Sequence, residues 1–484
     1  MFRTRFLLVV ALIGATLASP LTSANSASIS GTNCLKLNST RTIANVKFTC
    51  VKAGKKQVWN KGVVISKIAP TPTSTPSPTK IPNSNANPGP SNSTNAKPSP
   101  AQNIDSRGNA QKYEVSSSDN FLNMSECNMQ TSISGGYSMG WPRMTDAIPS
   151  IGNVRGVTLL VEFDDLKHNG DALRVWKTQQ IPTAENFFSK TSYNQMNLKI
   201  DLIEKIYHLN KSVLFYNLDT PHGTPQKPNA NYSGLIRDSI LLADPDIDFS
   251  KYDFVNIVNP HTNAIGFEGA SGSDVVVDGK QIKRATFGPI REYMDDPLKY
   301  NWMVHEGGHL LGLMHPYNNF SNPYEYGAYP SWDLMGDSLT RNSEFLIWNK
   351  YLLNWVNEKN LNCLSSSKPN EVVQLITPIS ENNSGNKGVF IRISDSKVLV
   401  IENRRASEFN EISRAQEGIV IYTVDGTIED GRGAVNYLYS TFSNNARGRL
   451  LGTVKPGEIV KFRNLTIKVL SSVELGDYVK VTIS

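Results

Sequence analysis

The sequence predicts a chain of α+β class, in which a twisted mixed sheet with helices precedes an all-β, sandwich-like region. Three observations predict it. Between Lys112 and Asn362, apolar strand-like runs such as Val157 to Phe163 (VTLLVEF) and Phe254 to Val258 are interleaved with helical segments such as Ala184 to Ser192. Beyond Lys368 the pattern becomes short alternating strands: Val389 to Ile393, Val398 to Glu402, Gly418 to Val424, Leu465 to Leu470 and Tyr478 to Ile483, with turns such as Lys455-Pro456-Gly457-Glu458 between some of them. The length of 484 residues is too great for one ordinary core.

The elements follow in order. Residues 1–27 open with Arg3 and Arg5, run through an apolar stretch from Phe6 to Leu17 and end in small residues that suit cleavage after Ala24 or Ala27, the pattern of an export signal. That stretch is too short for a normal membrane span, and nothing later approaches the roughly 18 consecutive apolar residues a transmembrane helix needs. The mature protein is therefore expected outside the cytoplasm, secreted or associated with the cell surface, with no membrane span. Residues 28–68 hold Cys34, Cys50, a lone Trp59 and many lysines, and predict a small basic β-rich module. Residues 69–111 are rich in Pro, Ser, Thr and Asn, bury too little to offset ordering, and predict an extended linker.

Charge divides at the same place. From Met1 to Ile104 there are 12 Lys and Arg and no Asp or Glu, leaving 37 basic and 43 acidic residues downstream. A basic arm on a mildly acidic body predicts attachment of the module to an anionic cell envelope, with a merely solubilising arm as the alternative, and no feature calls for nucleic acid. Residues 112–362 are expected to form the first large domain, with 112–154 a candidate propeptide, and residues 363–484 the β-domain.

Export also favours bridged cysteines, since disulfides persist outside the reducing cytosol. Four cysteines allow three pairings. Locality favours Cys34 with Cys50, because so small a segment needs a staple, and Cys127 with Cys363. The alternatives are two free buried thiols, or a Cys127 that latches a metal in a latent form.

The segment His305-Glu306-Gly307-Gly308-His309-Leu310-Leu311-Gly312-Leu313-Met314-His315 carries the chemistry. Asp296 and Pro297 suit a helix start and Gly312 a helix stop. In that helix His305 and His309 project from one face one turn apart, where two imidazoles can grip one ion. A left-handed Gly312 turns the chain so that His315 returns as third ligand. Three neutral imidazoles suit one Zn2+ and leave a fourth position for water, as in a catalytic site. Glu306 is then the general base, since zinc lowers the pKa of bound water from 15.7 to about 7 and an adjacent carboxylate can take its proton. His168, His208, His222 and His261 have no ligand spacing and are read as surface or loop residues.

This motif, followed by Ser331-Trp332-Asp333-Leu334-Met335-Gly336, resembles the metzincin zinc peptidases, in which a Met-turn lies as an apolar floor beneath the zinc histidines. The resemblance gives Met335 that role. It narrows to the immune inhibitor A group of secreted M6-type metalloproteases over roughly Arg155 to Ser484. It is carried by VTLLVEFDD, FFSKTSYNQMNL, DIDFSKYDF, the zinc motif, SWDLMG, FLIWNKYLLNWV, VLVIENRR and GIVIYTVD. Relatives often carry an acidic residue where this chain has His315, and the surrounding sequence is also similar to gametolysin-type metzincins. No tyrosine follows Met335 of the kind astacin-like relatives use as an extra ligand.

The resemblance implies a metzincin-like catalytic domain and hydrolysis of peptide bonds in protein or peptide substrates. Alternatives are a cell-wall-associated zinc hydrolase, and a non-catalytic surface-binding protein that keeps the fold. Glu402, Asn403 and Arg404 match a family signature, but their predicted strand is far from the zinc helix in sequence and a structural ion pair is expected of them. The acidic loop Asp425 to Asp430 is a candidate for Ca2+, with plain solvated carboxylates as the alternative.

Overall fold

A computed structural model describes residues 110–132, 136–168, 171–219, 229–260, 268–289, 302–317, 332–336, 344–380, 382–439, 452–484 and most of 40–64. The chain divides into two units, 1–99 and 100–484. In the first, strands β1 (Thr40–Ile43), β2 (Val46–Ala53), β3 (Lys56–Trp59) and β4 (Val63–Val64) make an antiparallel sheet in which β2 pairs with the other three. Phe48 and Cys50 are its buried residues, while Lys47, Lys52, Lys56 and Lys61 are exposed. Cys50 is disulfide-bonded, and Cys34, its expected partner, lies outside the described residues.

The second unit begins with a five-stranded sheet made of β5 (Gly152–Glu162), β6 (Met196–His208), β7 (Phe254–Asn259), β8 (Gly269–Gly272) and, after a hairpin of β9 (Val276–Val277) and β10 (Lys280–Gln281), β11 (Arg284–Pro289). Its order is β6-β5-β7-β11-β8, parallel throughout except for β8 on the edge. The hairpin turns on Asp278-Gly279, both at positive φ, as a two-residue turn between twisted strands requires. Alternation along β5 explains the layering. Val157, Leu159 and Val161 face one core with helix α3 (Tyr232–Ala243), while Val154 and Leu160 face another. That second core holds α2 (Ile181–Thr191), reached from α1 (Ala172–Val175) through a π-helical turn, and α4 (Trp302–Leu310). The described part of α4 starts at Trp302, so the predicted cap at Asp296 and Pro297 lies outside the described residues.

After helix α5 (Ile347–Leu352) come two sheets. One runs β12 (Leu361–Ser365), β14 (Gly388–Ser394), β15 (Lys397–Arg404), β16 (Gly418–Asp425), β17 (Val435–Leu438), and the other β13 (Asn370–Ile376), β20 (Gly476–Ile483), β19 (Leu465–Val473), β18 (Ile459–Phe462). Period-2 alternation again assigns the faces. Val389, Ile391, Leu399, Ile401, Ile419 and Ile421 share a core with the second sheet, whereas Phe390, Val398, Val400, Val420, Tyr422 and Val424 pack on α5 and on the segment from Met124 to Met139. The β12-β14-β15-β16-β17 sheet is thus a middle layer, with buried residues on both faces. Overall the unit is a mixed α and β structure dominated by sheet. Among the described residues, no helix is long and apolar enough to cross a membrane.

The described residues between 110 and 150 have little regular structure but are stitched to this body. The Cys127–Cys363 disulfide joins them to β12. Leu122 N–H donates to the Cys363 carbonyl, and Ile148 N–H to that of Leu310 at the end of α4. Residues 112–154, read from sequence as a candidate propeptide, therefore pack against both the helix that carries the histidines and the sandwich.

Candidate metal centre

Helix α4 places His305 and His309 on one face because they are four residues apart. The helix then ends in a Schellman arrangement: Gly312 N–H donates to the His309 carbonyl and Leu313 N–H to that of Gly308, each at 2.9 Å. Gly312 has φ +87°, and a Cβ there would also press on Met144 at 3.3 Å, so both backbone and packing demand glycine. The turn carries His315 back to the helix, where its Nε2 stands 3.0 Å from Nε2 of His309. One nitrogen from each of His305, His309 and His315 lies within 4.8 Å of the other two.

The remaining ring nitrogens are all engaged. His305 Nδ1 bonds the Leu334 carbonyl at 3.0 Å, His309 Nδ1 the Leu313 carbonyl at 2.7 Å, and His315 Nδ1 lies 3.1 Å from both carboxylate oxygens of Asp430. A carbonyl can only accept, so His305 and His309 carry their proton on Nδ1 and turn a bare Nε2 lone pair inward. Burial keeps the rings neutral. It pushes the His305 ring down to about 4, with the charge of His315 adding, and the His309 ring well below the usual imidazole range.

This donor set fits zinc. Nitrogens held at about 2.0–2.1 Å around a tetrahedral ion stand roughly 3.3 Å apart, within the spread that the three rings span. Among the described residues the triad is the one cluster of His, Cys, Asp or Glu so arranged. The acidic loop read as a calcium candidate instead divides its carboxylates: Asp425 accepts from Thr427 and pairs with Lys397, while Asp430 turns to His315. His208 pairs with Glu162 and Asp164, His168 is half-buried away from the triad, and His222 and His261 lie outside the described residues.

Glu306 is buried beside His305, and burial pushes its carboxyl well above the usual range, with the charge of Glu268 adding. Met335 is fully buried against α4: a Cβ at Gly308 would overlap its Sδ, and one at Gly307 would meet Phe188 at 2.5 Å. The two glycines that weaken the helix are thus where Met335 and Phe188 of α2 approach it closely. Met335 sits in a turn closed by Gly336 N–H to the Asp333 carbonyl at 2.8 Å, and Asp333 is itself held by the Met335 N–H and by Asn349.

The strand residues expected to form an ion pair do so: Arg404 Nε and Glu402 Oε1 are 2.6 Å apart and fully buried. The sequence did not indicate what else they hold. Arg404 Nη2 donates to the Trp332 carbonyl at 2.7 Å, and Glu402 accepts from Ile347 N–H and the Tyr422 hydroxyl. Strand β15 therefore anchors the Met335 turn, whose Leu334 carbonyl in turn orients His305.

Two further side chains reach the site without any signal in the sequence. Tyr137 lies 5.2 Å from His309 between ring centroids, and Arg284 at the start of β11 donates to its hydroxyl at 3.0 Å. Burial raises the Tyr137 phenol; Arg284 partly offsets this and the charges of Glu306 and Asp430 add to it. Arg284 also bonds Asp146 at 3.0 Å, and Arg143 bonds the Leu311 carbonyl at 2.9 Å. The chain matches no protein-family model, and no match is found among curated proteins.

Proposed function

We propose that the chain is a secreted zinc metalloendopeptidase with a metzincin-type catalytic domain, similar to the immune inhibitor A group. The observation that carries this reading is the convergence of three imidazole nitrogens with Glu306 placed between two of the ligands on one helix turn. The methionine turn against α4 and the single antiparallel edge strand of an otherwise parallel sheet support it.

When bound, zinc supplies Lewis acidity toward a water molecule and toward the carbonyl of a scissile peptide. Glu306 accepts the proton of the attacking water and returns it to the departing amine. Its buried setting, which strengthens its hold on a proton, suits the second half of that duty. His305, His309 and His315 would hold the ion through one ring nitrogen each. Export is supported by the leader at residues 1–27 and by the Cys127–Cys363 bridge. The basic N-terminal unit, with its exposed lysines, acts as a tether to anionic envelope surfaces.

The test is hydrolysis of casein by the purified mature chain carrying one zinc. Cleavage should be abolished by a chelator and restored by added zinc. A fully zinc-loaded protein that cleaves no protein substrate but releases peptides from purified peptidoglycan would replace this reading with a cell-wall hydrolase.

A further inference from the structure

We propose that Asp430 is the positioning residue of the third metal ligand, so that the loop after β16 completes a metal centre otherwise built on α4. The inference rests on the zinc-peptidase reading. His305 and His309 are held by a rigid helix and by neutral backbone carbonyls. His315 has neither support. It lies past the helix end, on an irregular segment after Gly312, with its side chain 23% exposed.

Asp430 supplies what is missing. Its Oδ1 accepts the His315 backbone N–H at 2.6 Å, and both oxygens lie 3.1 Å from Nδ1, so one carboxylate fixes main chain and ring together. The adjacent loop clips the same stretch: Gly433 N–H donates to the Tyr317 carbonyl at 2.9 Å, Gly431 N–H to that of His315 at 3.3 Å and Val435 N–H to that of Pro316 at 3.4 Å. Gly431 and Gly433 have φ +66° and +88°, which lets the loop run this close. The loop is itself anchored, since Asp425 at its base accepts from Thr427 and pairs with Lys397.

Geometry also separates this role from ligation. Asp430 faces Nδ1, whereas Nε2 of the same ring faces His309. A carboxylate behind a ligand imidazole fixes its orientation and makes the ring a stronger donor than a carbonyl does. The third ligand, being the least buried, is the one that gains most from a charged acceptor.

The experiment compares the mature full-length chain with Asp430→Asn and Asp430→Ala. Asparagine keeps one oxygen acceptor and removes the charge; alanine removes both. Zinc affinity is measured by competition with a chromophoric chelator, the visible spectrum is recorded with cobalt in place of zinc, and the melting temperature is taken without metal. Zinc binding should weaken on the order of 10- to 100-fold in Asp430→Ala and less in Asp430→Asn, with the cobalt bands displaced in both. If both variants bind zinc within about twofold of wild type, or if only the metal-free melting temperature falls while the cobalt spectrum stays unchanged, Asp430 is scaffold and the proposal is wrong. A wild-type chain that holds no zinc overturns the parent reading as well, which keeps the two failures apart.

Discussion

At the scale of single residues the site is governed by who may approach helix α4. Gly308 lies directly against Met335 Sδ, and Phe345 lies 3.2 Å from where its Cβ would be. Alanine would recover roughly 1 kcal/mol of helix propensity but overpack the floor at a cost of about 1–3 kcal/mol. Gly308→Ala should therefore be net destabilising in urea titrations of the zinc-free protein, and should loosen zinc. A Gly308→Ala protein more stable than wild type, with unchanged zinc affinity, would show that Met335 does not press on the helix. His305, Glu306, His309 and His315 were legible in the sequence because helical periodicity and one glycine stop put them within an 11-residue window. Asp430 and Tyr137 were not, since they lie 115 residues after His315 and 172 residues before His309, the histidines they touch. No local pattern encodes a contact of that range.

At the scale of elements, the turn that carries Met335 is irregular backbone held by Arg404, Asn349 and its own Asp333. Asp333 buries its carboxyl there, and burial pushes it up to about 7 despite the hydrogen bond from Met335 N–H and the charge of Arg404. In the unfolded chain the same group has the ordinary value of 3.8. As pH rises from about 4 to 7 the unfolded chain gives up this proton while the folded chain keeps it, so this group's contribution to stability declines across that window and levels off above it. Asp333→Asn should remove the decline. The difference in unfolding free energy between wild type and variant, both without metal, should thus fall steadily from pH 4 to 7. Parallel stability curves across that range would contradict a buried, protonated Asp333. Strands such as Val389 to Ile393 and Gly418 to Val424 were readable to within a residue or two because alternation reflects two buried faces. The support that β15 gives to the turn was not, because Glu402 and Arg404 read equally well as an ion pair with no further duty.

At the scale of the whole molecule, the sequence indicated a basic arm, a linker, a mixed sheet and a sandwich; the described residues are mixed α and β, mostly sheet with few helices, and the linker at 69–109 lies outside them. What it could not indicate is that residues 110–150 interleave with both the α4 end and the sandwich, because they have almost no periodic pattern of their own. The proposed tether rests on charge alone: ten Lys and Arg and no acidic residue lie between Ser28 and Ile104. Deleting residues 28–104 should abolish retention on cell envelopes at low salt and leave casein hydrolysis intact. Wild-type retention should weaken as salt shortens the screening length from about 30 Å at 0.01 M to about 10 Å at 0.1 M. Retention equal with and without the arm would rule the tether out. The central claim is that Glu306 is the base of a zinc peptidase, and the Glu306→Gln variant tests it most directly. The change removes the proton acceptor but none of the three imidazoles. Zinc content and melting temperature should stay near wild type while the casein rate falls by roughly 10² to 10⁴. A Glu306→Gln protein that keeps its zinc and cleaves casein at close to the wild-type rate would contradict the account.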